Sequence, residues 1–422
     1  MNNSGFRLMP PEEIFELTNK ILPGKTLNGE HKEDSLALTS AIADFCTKWE
    51  NAWTTFGDDP AGELTFRDLI IRFLHQIKPF LSKGLIDDSG KTAMETIRTS
   101  MFSFQPGNLG WLLDKMKRKR DFRGLKNGFQ PPVFEKPVFI LSAPRVGSTL
   151  LFETLTTFPD IWTIGRESHE TIEGIEELHP SRFGYVSNRL TQEHATQHLA
   201  SELKKRFARQ LKDRDGRLFL NLSGKKRPRS VRFLEKTPKN ALRVPFLNTV
   251  FPGARFIFLY RDPKESISSL MEGWRSRRYV SYRDLPGWPF REWSFLLVPG
   301  WTGFAEASIA EIAAFQWMTA NNSIMDDLEQ IPTDSWLPVS FRDLVEKPGE
   351  TVKGIATFAD LRWDEGIEKK VSQPLPVSTL ALTKPAPEKW RMNYEDIMRV
   401  LPAVKPVMNR LEALIKERTA DE

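Results

Sequence analysis

The chain has 422 residues, of which 40% are hydrophobic and 27% are charged, so it can bury a sizeable core. Its net charge of +5 is mild for this length, which favours a small anionic ligand over nucleic acid. A single cysteine, Cys46, excludes an intramolecular disulfide and a cysteine-based zinc site. No apolar run approaches membrane-spanning length and no signal-peptide pattern opens the chain, so we expect a cytoplasmic protein without a transmembrane segment.

Residues 1 to 130 carry the pattern of helices and contain no recognisable motif. Pro10 and Pro11 precede a helical pattern, and residues 66 to 81 form an apolar stripe that Pro79 ends or kinks. Residues 115 to 126 are very basic, and a proline pair follows at 131 and 132. The sequence therefore predicts an N-terminal helical extension, which is either an added domain or, as we favour, a cap over the core.

A strand, a turn and a helix start follow one another between residues 137 and 159. Val138 to Leu141 form a short apolar run that reads as a buried strand, and a proline-marked turn follows it. Ser148 then opens a segment whose apolar residues share one helical face. Unpaired N–H groups and the positive end of a helix dipole converge at such a junction, so the pattern predicts a phosphate-binding loop. An ordinary strand–turn–helix is the alternative.

The loop matches the standard nucleotide motif GxxxxGK[ST] only in part. Gly147 and Thr149 keep their places, while Ser148 replaces the lysine and Ser142 replaces the first glycine. The positive charge lies instead at Arg145, in the turn. A loop without the lysine is poorly suited to moving a γ-phosphoryl group with Mg²⁺, but it can hold a phosphate that is not transferred.

Three further strand candidates lie at residues 231–234, 255–260 and 336–341. A charged motif follows each of them, beginning with Glu235-Lys236, Arg261-Asp262 and Arg342-Asp343 respectively. Strands that alternate with helices predict an α/β fold with a central parallel sheet covered on both faces. Because the carboxyl ends of parallel strands share one edge of a sheet, we expect the charged motifs to gather there.

The segment that follows Arg261 predicts a second anion site. Pro263 is placed to open a helix, and Ser266 and Ser269 would lie on the side of that helix that faces Arg261. An arginine can grip two phosphate oxygens at once. Together with the first loop, this motif indicates a ligand that carries two separated phosphates.

Residues 271 to 304 are rich in tryptophan, proline and glycine and are too long for a plain connection. We expect a lid or a substrate wall, with an aromatic plug on the core as the alternative. Phe290, Trp293 and Phe295 would line an apolar wall. The basic residues Arg275, Arg277 and Arg278 would instead suit an acidic acceptor.

The spaced motifs resemble those of sulfotransferases that use 3′-phosphoadenosine 5′-phosphosulfate (PAPS). APRVGSTLL is similar to the family's 5′-phosphosulfate loop, YRDPKESISS to its 3′-phosphate motif and FLEKTPKN to its strand-end lysine motif. The likeness spans residues 135 to 395, and the arginine in the first loop is similar to the branch that includes tyrosylprotein and bacterial sulfotransferases. It implies a P-loop-like three-layer fold for a sulfotransferase domain over residues 131 to 422, with PAPS as co-substrate and no metal.

The resemblance also assigns the site residues. It implies that the donor is bound by Arg145, Val146, Gly147, Ser148, Thr149, Arg261, Ser269 and Lys384. Lys384 is a weak match, since the family's glycine is missing between it and Trp390, and Lys389 or Arg391 would serve as well. The catalytic group would comprise Arg145, Lys236 and a base.

The cytosolic members of the family use as base a histidine that lies two residues after the strand-end lysine. Pro238 occupies that position here, so the base must come from elsewhere. Glu167, in a Gly-x-Glu context similar to that of the tyrosylprotein branch, is the first candidate, and His169 is the alternate. Glu167 would accept the acceptor's proton if burial raises its pKa. Glu235 is expected to orient Lys236.

These residues predict in-line transfer of a sulfuryl group to an acceptor hydroxyl. The acceptor is open among small molecules, lipids, glycans and carrier-bound groups, and the sequence does not constrain the oligomeric state. A P-loop kinase and a non-catalytic nucleotide-binding protein are the alternatives. A kinase should carry a lysine after Gly147 and a strand-end aspartate for Mg²⁺, and neither is seen.

Overall fold

The structure is a computed structural model. It describes residues 9–22, 32–56, 63–100, 130–223, 226–283, 285–288, 292–305, 307–380, 382–383, 386 and 388–420. The chain forms two compact units, Met1–Phe129 and Gln130–Glu422.

The described part of the first unit is helical. Its helices are α1 (Pro11–Asn19), α2 (Lys32–Phe56), α3 (Glu63–Ser82) and α4 (Asp88–Ser100). Pro79 does not end α3, which continues to Ser82. Phe45 and Phe73 stack with ring centroids 4.1 Å apart, and Trp49 packs against Phe66 in the same buried core. Large aromatic side chains thus give this unit a core of its own.

The second unit is built on a parallel sheet. The parallel strands are β1 (Val133–Phe134), β2 (Val138–Leu141), β3 (Ile161–Trp162), β4 (Ser230–Lys236), β5 (Arg255–Tyr260) and β8 (Trp336–Ser340). The sheet order is β1-β4-β2-β5-β8, and β3 also pairs with β4. A separate antiparallel hairpin joins β6 (Val280–Arg283) to β7 (Glu292–Ser294). The α/β fold with a central parallel sheet is confirmed.

Helices connect and flank these strands. They are α5 (Ser148–Leu155), α6 (His169–Ile172), α7 (Gln197–Ala208), α8 (Val244–Val250), α9 (Pro263–Ser276), α10 (Ile309–Leu328), α11 (Phe341–Glu346), α12 (Pro348–Ala359), α13 (Glu365–Val371) and α14 (Tyr394–Ala420). Among the described residues, no helix combines the length and the apolar character that crossing a membrane requires.

The central strands are buried, and their parallel register places the charged motifs at one edge of the sheet. All four residues of β2 are buried, and Phe139 packs in a ring cluster with Phe233, Phe251 and Phe256. Burying one such side chain contributes roughly 1.5–3 kcal/mol. In the parallel register Ile140 pairs with Lys236, so the last residue of β4 lies beside the start of the turn after β2. The carboxyl edge of the sheet therefore collects the motifs, as their order along the chain predicts.

The tryptophan-rich insertion packs inward. Trp293 is fully buried, and its ring lies 4.9–5.4 Å from those of Trp274, Trp288 and Trp301, each at a steep angle. Gln316 of α10 accepts from the Trp274 indole and donates to two backbone carbonyls of the insertion. We call these four indoles the tryptophan cluster. This inward packing favours an aromatic plug, the alternative that the sequence left open beside a lid.

The described residues that were expected to form a substrate wall are buried in the core. Trp293 and Phe295 are buried, because the segment from Trp293 to Val298 runs through the core of this unit, while Phe290 lies outside the described residues. Arg277, at the end of α9, forms an ion pair with Glu292 of β7, so its charge is already partnered.

Candidate active site

The turn between β2 and α5 has the backbone of an anion cradle. Gly147 is the N-cap of α5 with φ 110°, and no side chain caps the helix. A Cβ at Gly147 would lie 2.1 Å from the ring of Phe341, so both the conformation and the space require glycine. Ser148 and Thr149 form the first turn of α5, where backbone N–H groups have no partner within the helix. Val146, before Gly147, is buried and packs the turn onto the core.

Arg145 projects from this turn in a left-handed backbone conformation, with φ 67°. Its Nε donates to Ser269 Oγ at 3.3 Å, and its Nη1 donates to the Tyr279 hydroxyl at 2.6 Å and to the Leu380 carbonyl at 3.2 Å. Burial lowers the pKa of the guanidinium. The structure thus brings the first predicted anion motif, Arg145, into direct contact with the second, Ser269.

Arg261 lies beside this pair but bonds elsewhere. Its Nε and Nη2 both donate to Glu265, at 2.8 and 2.5 Å, and its guanidinium lies 4.7 Å from the Phe341 ring centroid. The charge of Arg261 is near enough to lower the pKa of Arg145. Ser266 was expected to face Arg261, but its hydroxyl donates to the backbone carbonyl of Asp262 one turn back, as serines inside helices often do.

Lys236, the last residue of β4, lies at the carboxyl edge of the sheet. Its Nζ donates to Thr149 Oγ1 at 3.1 Å and to Glu167 Oε1 at 2.5 Å, and the side chain is nearly fully buried. A buried ammonium requires such partners to offset its lost hydration. Lys236 therefore joins the phosphate loop to the predicted base.

The environment of Glu167 corrects the expected sign of its pKa shift. Burial raises the pKa of Glu167, but the hydrogen bond with His169 at 2.6 Å and the charge of Lys236 outweigh it and lower the pKa to about 2. Burial also lowers the pKa of His169. A neutral His169 then donates a hydrogen bond from Nε2–H to the ionised Glu167. This partner assigns the proton of the imidazole to Nε2. Glu167 is held as a carboxylate rather than as a neutral acid.

Glu235 does not orient Lys236 through a direct bond, because successive side chains of a strand point to opposite faces. Its carboxylate instead accepts hydrogen bonds from Thr237 and Asn240, and burial raises its pKa. Thr237 Oγ1 in turn accepts from the Ser168 N–H at 2.7 Å. Glu235 thus fixes the turn that carries the predicted base, a link that sequence spacing could not show.

A second buried ionic cluster lies next to this turn. Glu173 accepts from Lys239 at 2.8 and 2.9 Å and from Arg243 at 2.6 Å, and the Tyr282 hydroxyl lies 2.7 Å from Lys239 Nζ. Burial lowers the pKa of Lys239 to about 8, whereas the cations lower that of Glu173 to about 2 despite its burial. The charges of Lys239 and Glu173 both act on the pKa of His169. No role for Tyr282 or Arg243 was predicted from the sequence.

The C-terminal segment packs on α9, near the second anion motif. Lys384 lies outside the described residues. Lys264 places its ammonium 4.9 Å from the Trp390 ring centroid, and Lys389 forms an ion pair with Glu272 of α9. Trp390 is itself buried, beneath the Lys264 ammonium. Within the described ranges, no group of three or more histidine, cysteine, aspartate or glutamate side chains could hold a metal ion.

The sulfotransferase family model matches residues 137–365, more than half of the chain. The chain therefore belongs to the sulfotransferase family.

Individual relatives are distant. A putative protein-tyrosine sulfotransferase of Caenorhabditis briggsae is 23% identical over 236 residues, which cover 55% of this chain and 68% of that protein. Protein-tyrosine sulfotransferase A of Caenorhabditis elegans is 22% identical over 289 residues, which cover 65% and 66%. The solved structure of a sulfotransferase from Mycobacterium avium shares 15% identity and a TM-score of 0.38, covering 76% of this chain and 84% of that one.

Proposed function

We propose that this protein transfers a sulfuryl group from PAPS to the hydroxyl of an acceptor. The observation that carries the proposal is the contact between Arg145 of the phosphate loop and Ser269 of the second anion motif. Two anion-binding motifs, 124 residues apart in the chain, share one edge of the sheet. A donor that bears a 5′-phosphosulfate and a separate 3′-phosphate fits such a pair.

The residues present fit the donor. Gly147 allows close backbone approach, and Ser148 and Thr149 offer N–H groups at the start of α5. Arg145 and Lys236 supply positive charge on either side of the turn, while Arg261 would hold the second phosphate. When bound, the donor supplies the activated sulfuryl group. We assign Lys384 to the same half of the site on the resemblance alone.

Glu167 is the proposed base, with His169 as its positioning partner. Lys236 donates to both Thr149 and Glu167. An anion that binds beside Thr149 therefore competes with Glu167 for the hydrogen bonds of the Lys236 ammonium. As Lys236 turns to that anion, Glu167 loses a cation that lowers its pKa and becomes a stronger base. Removal of the acceptor's proton is thereby coupled to the occupation of the donor site. His169 as the base itself is the alternative.

We propose a hydroxyl acceptor and include phenols, because the worm relatives are named as protein-tyrosine sulfotransferases. Lipid, glycan, small-molecule and carrier-bound hydroxyls belong to the same proposal. The proposed location is the cytoplasm, since one cysteine in 422 residues gives no sign of an oxidising compartment. No metal is part of the proposal.

Calorimetric titration with adenosine 3′,5′-bisphosphate, beside ATP with Mg²⁺, tests the donor site. We expect the wild type to bind the bisphosphate and Arg261→Ala to lose about 10- to 100-fold in affinity, the effect of removing a charged hydrogen-bond donor. Arg255→Ala is the matched control, because Arg255 lies at the opposite end of β5 and donates to the Asp334 carbonyl. Binding of ATP with Mg²⁺ together with indifference to the bisphosphate would refute the proposal in favour of a kinase.

A further inference from the structure

The tryptophan-rich insertion carries, besides its buried indoles, two tyrosines whose hydroxyls bond to other elements of the second unit. Tyr279 precedes β6 and Tyr282 lies within it, and the hairpin register is irregular between Val280 and Tyr282. Tyr279 contacts the phosphate loop, whereas Tyr282 contacts the ionic cluster of Lys239 and Glu173. One hairpin thus bonds to two separate motifs at the carboxyl edge of the sheet.

Tyr279 is itself held rigidly. Its ring stacks on that of Phe295, with centroids 5.0 Å apart and planes inclined by 19°. The Phe295 N–H donates to the Tyr279 carbonyl at 2.9 Å, which closes the base of the hairpin. Gly273 of α9 leaves room for this stack, because a Cβ there would lie 2.3 Å from Phe295 Cζ and 3.3 Å from Tyr279 Cδ2. The tyrosine is therefore clamped between a helix and a buried ring.

Tyr279 contacts Arg145 in two ways. The hydroxyl accepts from Nη1 at 2.6 Å, and the guanidinium carbon lies 4.8 Å from the ring centroid. The same hydroxyl donates to the Leu380 carbonyl at 3.0 Å, which also accepts from Arg145. A cation–π contact and a hydrogen bond from one rigid side chain fix both the position and the rotation of a guanidinium.

We propose that Tyr279 is a positioning residue for Arg145, so that the tryptophan-rich insertion acts on the donor site rather than as a wall for the acceptor. Without Tyr279, the long side chain of Arg145 would have to lose its rotational freedom when the donor binds. With Tyr279 in place, the guanidinium is ordered beforehand and still offers donors to an anion. This inference rests on the proposed function, because it takes the anion to be a phosphate of the donor.

The test is a double-mutant cycle between Tyr279→Phe and Arg145→Lys, read out as affinity for adenosine 3′,5′-bisphosphate. Tyr279→Phe removes only the hydroxyl, and we expect about a tenfold loss of affinity. Because Tyr279 acts through Arg145, we expect Arg145→Lys to cost much less in the Tyr279→Phe background than in the wild type. In turnover assays with PAPS as donor and a simple phenol as acceptor, Tyr279→Phe should raise KM for the donor while kcat stays within about threefold, the pattern of lost uniform binding.

Tyr282→Phe is the matched control, since it removes the same atom from the same hairpin but away from Arg145. We expect it to lower the melting temperature, because it breaks the bonds of Tyr282 to Lys239 and Glu173, yet to leave bisphosphate affinity within twofold. Unchanged affinity in Tyr279→Phe, additive losses in the cycle, or an equal loss in Tyr282→Phe would each overturn the inference. If the wild type binds no bisphosphate, both the inference and the proposed function fail. If the wild type binds it, the results for the variants test the inference about Tyr279 alone.

Discussion

At the scale of single residues, Lys236 is the group on which the chemistry of the proposed site depends. Its ammonium donates to the Glu167 carboxylate and to Thr149, beside which the donor's anion would bind. Lys236 and the adjacent His169 lower the pKa of Glu167 to about 2 against the effect of burial. A carboxylate with so low a pKa is ionised at every physiological pH but is a weak base, so the proposed coupling to donor binding has a specific consequence.

We predict that Lys236→Met raises the pKa of Glu167 from about 2 towards its ordinary value near 4.5. The pKa rises because the cation that lowers it is lost. The effect of burial, which raises the pKa of Glu167, is then opposed only by His169. A carbon-13 NMR titration of labelled glutamate side chains, assigned with Glu167→Gln, measures this shift. Lys264→Met is the control, because the Lys264 ammonium lies over Trp390 instead. A pKa that stays near 2 would show that His169 alone sets it and would remove the coupling.

At the scale of elements, the junction of β2 and α5 depends on the approach of α11. Phe341, the first residue of α11, fills the space into which a Cβ at position 147 would project. The positive φ of Gly147 adds a strain of roughly 1–2 kcal/mol for any other residue. The cradle is thus specified by two elements that lie far apart in the sequence.

We predict that Gly147→Ala abolishes measurable bisphosphate binding and lowers the melting temperature by several degrees. Adding Phe341→Ala should restore part of the stability, because it relieves the contact but not the backbone strain. Gly354→Ala serves as the comparison: Gly354 lies in α12 with open space around it, and alanine favours helices. Calorimetry and thermal melts measure both effects, and normal binding by Gly147→Ala would contradict the prediction.

The sequence predicted the four main strands because each is a short apolar run, three of which end at a charged motif, and it predicted the α/β fold from their alternation with helices. It did not reveal β1 or β3, which have two residues each and no periodicity to detect. The direction in which the tryptophans pack was equally hidden, because composition does not distinguish a buried aromatic from an exposed one. The contact of Arg145 with Tyr279 spans 134 residues and exists only in the folded chain.

At the scale of the whole molecule, the chain divides into Met1–Phe129 and Gln130–Glu422, and each has a hydrophobic core among its described residues. Every residue that we assign to the donor site or to catalysis lies in the second unit, and so does the whole of the family match. We proposed a cap or an added domain for residues 1 to 130. The two alternatives differ in whether the second unit depends on the first.

We predict that a chain comprising residues 130–422 folds and binds adenosine 3′,5′-bisphosphate within twofold of the affinity of the full chain. The reason is that the sheet, the phosphate loop and both anion motifs are complete within it. Calorimetry on both chains measures this, and Arg261→Ala in the shorter chain should show the same loss as in the longer one. An insoluble product, or a tenfold weaker site, would instead mark residues 1 to 130 as a cap that the donor site requires.

The tryptophan cluster has an optical consequence. Its four indoles lie with neighbouring ring centroids 4.9–6.0 Å apart and planes inclined by 63–86°. Chromophores so close and so steeply inclined couple their electronic transitions and give rise to circular dichroism in the near ultraviolet. The insertion therefore carries its own spectroscopic reporter, which shows whether the hairpin that presents Tyr279 is intact without any added label.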